Sequence, residues 1–398
     1  MQPFIPYGRQ DVSDADIQAV VEVLRSDWLT QGPAIERFET EVAAFVGGAH
    51  AVAVSSATAA LHLACRALGL GPGDVLWTSP NTFVASANCA LYCGADVDFV
   101  DIDPLTHNMS VEALATKLAA AERAGRLPKI VIPVHFAGEP CDMAGIHDLA
   151  RRYNFFVIED ASHAIGARYR ESVVGDGRYS DMVVFSFHPV KLITSGEGGM
   201  IVTHRPELAE QLRRLRSHGI TREPGMMTGA SEGPWYYQQL ELGYNYRMTD
   251  IQAVLGASQL KRLPEFLRRR HELAAKYDDR LGGMPVIRPN RNPANYSALH
   301  LYVIRIDRTR VARTRREVFE HLRGAGIGVN VHYIPVHLQP FYRERGFEPG
   351  GFPEAEAYYE EAISLPLFYG LSDADQDRVV LALAAALDSP SGLETMLP

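Results

Sequence analysis

Seven short apolar runs recur between residues 51 and 204, and helical stretches separate several of them. They are AVAVS (51–55), VLWTS (75–79), VDFVDID (97–103), KIVIPVHF (129–136), FFVIED (155–160), MVVFSF (182–187) and MIVTH (200–204). Most lack clean polar–apolar alternation, as expected of strands covered on both faces. Helical patterns at 57–68, 111–124 and 144–152 lie between them. Strands interleaved with helices predict an α/β domain built on a mainly parallel seven-stranded sheet. Ligands in such sheets sit beyond the carboxyl ends of the strands.

The flanks read differently. Residues 13–25 form an amphipathic helical pattern with Ser13 as N-cap, and 34–46 a second, separated by the loop SDWLTQGP (26–33). Residues 223–237 read as a long loop, and 249–284 as largely helical. HLYVIRID (300–307), a helix at 313–324, a segment around GVNVHYIP (328–335) and a closing helix at 373–387 follow. We therefore expect a large α/β domain over 1–250 and a smaller α+β domain over 251–398. A chain of 398 residues is long enough for both.

Composition narrows the chemistry. The net charge is −9, which argues against a sequence-independent nucleic-acid binder. No run approaches the roughly 18 apolar residues of a membrane span, and the opening MQPFIPYGRQ has no signal-peptide core. Cys65, Cys89, Cys93 and Cys141 form no CxxC pair, so neither a metal site nor a disulfide framework is suggested. The expectation is a reduced, cytoplasmic protein. Of the 39 cations only five are lysines: Lys117, Lys129, Lys191, Lys261 and Lys276. Chemistry that needs a primary amine has five candidates. No Walker A motif is present, and no G-x-G-x-x-G follows an early strand.

Lys191 stands out among the five. The strand MVVFSF runs into His188-Pro189, and proline stops regular pairing. Lys191 should lie in the turn beyond the strand's carboxyl end, with Gly196, Gly198 and Gly199 folding the chain back. An amine there could attack an aldehyde, given surroundings that lower its pKa. Asp160 ends FFVIED and faces the same crevice. It could keep a pyridine nitrogen protonated or simply cap the following segment. His163 could orient Asp160, touch such a ring, or be a core histidine. In Ser55-Ser56-Ala57-Thr58 a strand turns straight into a helix, whose free N–H groups suit a phosphate. N-capping alone would also explain the hydroxyls. Ser186 could add a hydroxyl to that phosphate, and Phe83 could stack on a planar ring or belong to the core. An amine, a ring-nitrogen partner, a phosphate cradle and a stacking face together match pyridoxal 5′-phosphate.

The segments carrying these residues resemble one family. SFHPVKLITSGEGG, EDASHAIG (159–166), SSATAALHLA (55–64), TFVASANCALYCGADVDFVDID (82–103), PVHFAGEPCDM (133–143) and GYNYRMTDIQAVLG (243–256) are similar to the nucleotide-sugar aminotransferases of the DegT/DnrJ/EryC1/StrS group. The likeness runs in order from about residue 4 to 370. It implies the fold type I architecture of pyridoxal-phosphate transferases. It also implies that Lys191 binds the cofactor's aldehyde, Asp160 its ring nitrogen, Ala57, Thr58 and Ser186 its phosphate, and Phe83 its ring. Asn245 would reach the cofactor phosphate of a neighbouring subunit, so a homodimer with composite sites is implied. Tyr7, Trp28, Leu29, Thr30, His332 and Tyr333 match segments that line the sugar-nucleotide pocket. Ala57 stands where many members carry glycine.

Within the group, IPYGRQ (5–10), SDWLTQGP and SFHPVK most resemble members serving pseudaminic acid synthesis. The implied reaction moves an amino group from glutamate, leaving 2-oxoglutarate, to C4 of a UDP-linked 4-keto sugar. Three alternatives are weaker. A sugar dehydratase of the group would carry histidine in place of Lys191. A cysteine desulfurase would need a late nucleophilic cysteine, and the last is Cys141. A ligand-binding regulator would need a recognition domain that the chain does not show.

Overall fold

The structure, a computed structural model, describes residues 3–387. Its centre is a seven-stranded sheet: β1 (His50–Val54), β2 (Val75–Thr78), β3 (Asp96–Phe99), β4 (Ile130–Ile132), β5 (Phe156–Asp160), β6 (Met182–Ser186) and β7 (Gly199–Thr203), in the order β1-β7-β6-β5-β4-β2-β3. The pairs β3/β2, β2/β4, β4/β5 and β5/β6 are parallel. Only β7 runs the other way, antiparallel to both β1 and β6. The carboxyl ends of six strands and the start of β7 therefore share one edge.

The continuous apolar runs have the predicted cause, burial of both sheet faces. Val52, Val54, Ile158, Val184 and Ile201 pack on one side against α3 (Ala57–Ala67), α4 (Ala85–Tyr92) and α7 (Pro206–Leu215). Their neighbours Ala51, Ala53, Val183, Phe185, Met200 and Val202 point oppositely, against α2 (Pro33–Val46) and α8 (Asp250–Arg280). Beyond β5 that second face is covered by α5 (Val111–Arg123) and α6 (Met143–Tyr153), which pack on Trp77, Val131 and Val157. Each fully buried Val, Ile or Leu contributes roughly 1.5–3 kcal/mol.

Helix ends follow local rules. Ser13 caps α1 (Asp14–Leu24) in a reciprocal box with Asp16. The N-cap of α2 is Gly32, which has no side chain to offer. Asp250, in the first turn of α8, accepts instead from the N–H groups of Gly32 and Ala34, at 2.9 and 3.1 Å. That contact anchors the 26–33 loop to α8. α8 runs unbroken past Pro264, where buried Leu263, Phe266 and Leu267 offset the lost hydrogen bond.

The C-terminal part holds an antiparallel sheet of β8 (Val286–Ile287), β9 (Tyr302–Ile306) and β10 (Ala362–Leu365). Its core combines Tyr302, Ile304, Ile363 and Leu365 with α8, α9 (Arg315–Gly324) and α10 (Asp373–Leu387). Ile5 joins this core and bridges to Ile327, while the Leu367 N–H donates to the Tyr7 carbonyl. The start of the chain thus packs on the C-terminal unit. The 223–237 segment read as a loop is the tip of a ribbon closed by Ile220–Thr221 against Gln238–Gln239. Among the described residues, no helix is long and apolar enough to cross a membrane.

Candidate active site

A cleft of about 750 Å³ opens at the shared strand edge. Its floor is built from strand ends: Ser55 to Thr58 after β1, Thr82 and Phe83 after β2, Val134 after β4, Asp160 closing β5, and Ser186 to Lys191 at and after β6. Its far wall comes from the C-terminal unit, through His300 and Asn330 to Tyr333, with Tyr7 beside them.

Lys191 differs from the other lysines. Lys117 pairs with Asp98, Lys129 with Asp74 and Lys276 with Asp373, and Lys261 is exposed. Lys191 lines the cleft, and burial pulls its amine down to about 8, against the attraction of Asp160. At pH 7.5 roughly a quarter of such an amine is neutral, compared with about 0.1% of an ordinary lysine.

The opposite wall is aromatic and uncharged. The Tyr333 hydroxyl lies 3.1 Å from His163 Nε2, and the two rings are 20° from parallel. Burial and then the Lys191 charge hold His163 well below the usual histidine pKa. The same causes, in the same order, bring His332 down to about 3. His300 is lowered too, first by burial and then by His163 and Lys191. Burial raises the Tyr333 phenol, which stays protonated. His163 Nδ1 is buried in the cleft wall with no partner.

The anion end follows from strand register. Gly199 pairs with both Val54 and Ser186, so the start of α3 lies beside the end of β6. A Cβ on Gly199 would come within 2.5 Å of the Ser56 carbonyl and 2.7 Å of the Ala57 nitrogen. Glycine there lets the helix start sit directly on the sheet. Ser56 spends its side chain on the Ala59 N–H. The N–H groups of Ala57 and Thr58, at the first two helical positions, have no intrahelical acceptor and border the cleft. Gly199→Ala is expected to cost about 1–3 kcal/mol of stability and to weaken pyridoxal phosphate binding. Thermal unfolding and a cofactor titration check this; an unaltered cofactor affinity would remove the helix start from the anion site.

The structure brings Lys191, Asp160, Ala57, Thr58, Phe83, His163, Ser186, Tyr7, His332 and Tyr333 to one cleft. Four expected residues are elsewhere in the protomer. Trp28 and Leu29 are exposed, and Trp28 lines a separate groove with Asp250 and Val254. Thr30 bridges to Thr249, and exposed Asn245 to Ser217. Phe83 borders the cleft but is 59% exposed. Sequence reasoning passed over His300, Asn330 and Thr82, which also line the cleft, and Ser86, whose hydroxyl bonds Asp160.

Residues 10–384 match the sequence model of the DegT/DnrJ/EryC1/StrS aminotransferase family. The chain belongs to that family. It is 41% identical over 383 residues, 96% of each chain, to the spore coat polysaccharide biosynthesis protein SpsC of Bacillus subtilis. Among solved structures it is similar to PseC of Helicobacter pylori, an aminotransferase involved in the biosynthesis of pseudoaminic acid. That match has TM-score 0.88 and 29% identity, and covers 96% of this chain and 99% of that one. Spr1654 of Streptococcus pneumoniae, described as a "putative sugar aminotransferase" and solved in its PMP form, gives 0.87 and 30%, covering 96% and 98%. The protein is thus a pyridoxal-phosphate-dependent sugar aminotransferase with the fold of that class. The cleft fits the cofactor: this sugar aminotransferase has a half-buried, cleft-lining amine, an unpartnered buried imidazole nitrogen and a helix start kept open by Gly199.

Proposed function

We propose that this chain carries an amino group from glutamate to C4 of a UDP-linked 4-keto-6-deoxy-N-acetyl sugar. The product would be UDP-4-amino-4,6-dideoxy-N-acetyl-β-L-altrosamine, for pseudaminic acid synthesis. The observation that carries aminotransfer is the half-buried, unpaired Lys191 amine sharing one cleft with Asp160. Pyridoxal phosphate, when bound, supplies an aldehyde that exchanges amino groups and a protonated ring that accepts the electron pair left by a departing proton.

The residues divide the remaining work. Lys191 would hold the aldehyde, and its freed amine would move a proton between the donor's α-carbon and the cofactor's C4′ carbon. Asp160 accepts the ring N–H. Ala57 and Thr58 N–H groups and the Ser186 hydroxyl bind the phosphate. Phe83 would stack on the ring, and His163, braced by Tyr333, would touch it. Tyr7, His332 and Tyr333 face the sugar, in a wall whose neutral imidazoles leave Lys191 the cation. In the second half of the reaction, where C4 of the sugar would gain the amino nitrogen as its carbonyl oxygen leaves as water, the Lys191 amine would place a proton on C4.

Exposed Trp28, Leu29, Trp235 and Leu242 support a homodimer, since such apolar surface marks association sites. Trp28, Leu29, Thr30 and Asn245 then complete the site of a second copy. A cytoplasmic setting accords with four free, buried cysteines.

The likeness to PseC favours the altrosamine precursor, while the higher identity to SpsC favours another UDP- or dTDP-keto sugar. A panel of UDP- and dTDP-4-keto-6-deoxy sugars, incubated with glutamate, separates them. The UDP-N-acetyl sugar is expected to react at least about tenfold faster, the worth of one well-placed polar contact. Equal rates across the panel would defeat the narrow assignment.

A further inference from the structure

Asp160 is restrained at every polar atom. Its N–H donates to the Pro133 carbonyl at 2.9 Å, and its carbonyl accepts from the His135 N–H at 3.1 Å. The end of β5 is thereby locked to the segment that leaves β4. Oδ1 accepts from the Ser162 N–H at 3.1 Å, and Oδ2 from the Ser86 hydroxyl at 2.7 Å. Ser86 lies in the first turn of α4, fully buried, with Thr82 Oγ1 at 2.8 Å from its oxygen.

Proton counting sets the direction of this chain. A serine hydroxyl carries one proton and two lone pairs. Ser86 spends its proton on the carboxylate, so Thr82 must donate and Ser86 accept. Thr82 borders the cleft and Ser86 does not. The order is therefore Thr82 to Ser86 to Asp160, with both hydroxyl protons pointing toward the carboxylate. Bulk packing does not require the Ser86 hydroxyl: its neighbours Ala85, Ala87 and Ala90 fill the same helix with methyl groups. The polar atom it serves is Asp160 Oδ2.

We propose that Ser86, oriented by Thr82, is a positioning residue for aminotransfer: it fixes the Asp160 carboxylate toward the cofactor's ring nitrogen. The inference rests on the reading of Asp160 as the ring's partner. A hydroxyl donating to an ionised oxygen makes a strong, charge-assisted bond. It occupies one lone pair of Oδ2 and so fixes the direction in which the carboxylate presents its others to the ring N–H. Without that donor the carboxylate is held only at Oδ1 by the Ser162 N–H, its contact with the ring N–H loosens, and the ring's capacity to accept electrons falls.

The experiment compares two ligands on the full-length protein stripped of cofactor: pyridoxal phosphate, and its analogue with C–H in place of the ring nitrogen. The wild type should bind pyridoxal phosphate more tightly, and Asp160→Ala should erase the difference. Ser86→Ala should shrink the preference about tenfold, lower kcat and leave KM for the sugar unchanged; Ser86→Thr should restore both. Ser86→Cys, similar in size but a weak donor, should behave like Ser86→Ala and covers the case where alanine disturbs folding. If the wild type shows no preference, the Asp160 reading fails. If the wild type prefers pyridoxal phosphate and Ser86→Ala and Ser86→Cys keep that preference whole, the Ser86 inference alone is overturned. Equal weakening of both ligands in these variants would mark the hydroxyl as structural, and also overturn it.

Discussion

Lys191→Ala is expected to lower turnover by more than about a thousandfold, because one amine both holds the cofactor and shuttles the proton. The variant should also lose the visible absorbance of lysine-bound pyridoxal phosphate. Retained activity would refute the assignment outright. A second readout needs no substrate. In the protein without cofactor, burial holds Lys191 at about 8, against 10.5 for an ordinary lysine. Between those values the unfolded chain binds more protons than the folded one, so stability rises with pH across that window. Below pH 8 the full cost of the buried charge is present; above about 10.5 it is gone. Lys191→Met should therefore be more stable than the wild type at pH 7, on the order of 1–3 kcal/mol, with the gain vanishing by about pH 11. Stability curves that stay parallel from pH 7 to 11 would show the amine is not desolvated.

Asp160→Ala should reduce kcat on the order of a thousandfold, while weakening cofactor retention far less. The distinction follows from the cleft's layout. Retention draws on the helix start at Ala57 and Thr58, on Ser186 and on Lys191, all of which survive the substitution. Electron acceptance by the ring depends on the carboxylate. Single-turnover absorbance changes with glutamate separate the two effects. An unchanged rate in a cofactor-loaded variant would end the role given to Asp160.

Much of the fold is legible in the sequence, because strands buried on both faces must be apolar throughout. The ends are less so. KIVIPVHF reads as one strand through Phe136, yet β4 stops at Ile132: Pro133 has no N–H to pair, only an isolated bridge at Val134 carries the pairing to Asp160, and the chain turns at Phe136–Gly138, with Ala137 at φ +57°. The 223–237 segment shows its loop composition but not the two-residue ladder that closes it. Asp160 and Lys191 are conspicuous because each follows an apolar run, and strand ends of parallel sheets point into crevices. Ser86 is not, since one hydroxyl in an alanine-rich helix reads as filler. Its meaning comes from topology, which sets the first turn of α4 beside the last residue of β5. His300 and Asn330 are hidden for the same reason: nothing local in their segments announces the cleft they face. Trp28, Leu29, Thr30 and Asn245 show a further limit. Likeness to a family ties these residues to its site, but in the protomer they lie outside the cleft.

The cleft gathers Tyr7, the turns after β1, β2, β5 and β6, and finally His332 and Tyr333 from near the other end of the chain. A chain truncated before residue 330 is therefore expected to leave the Lys191 amine facing bulk water on the side those rings cover.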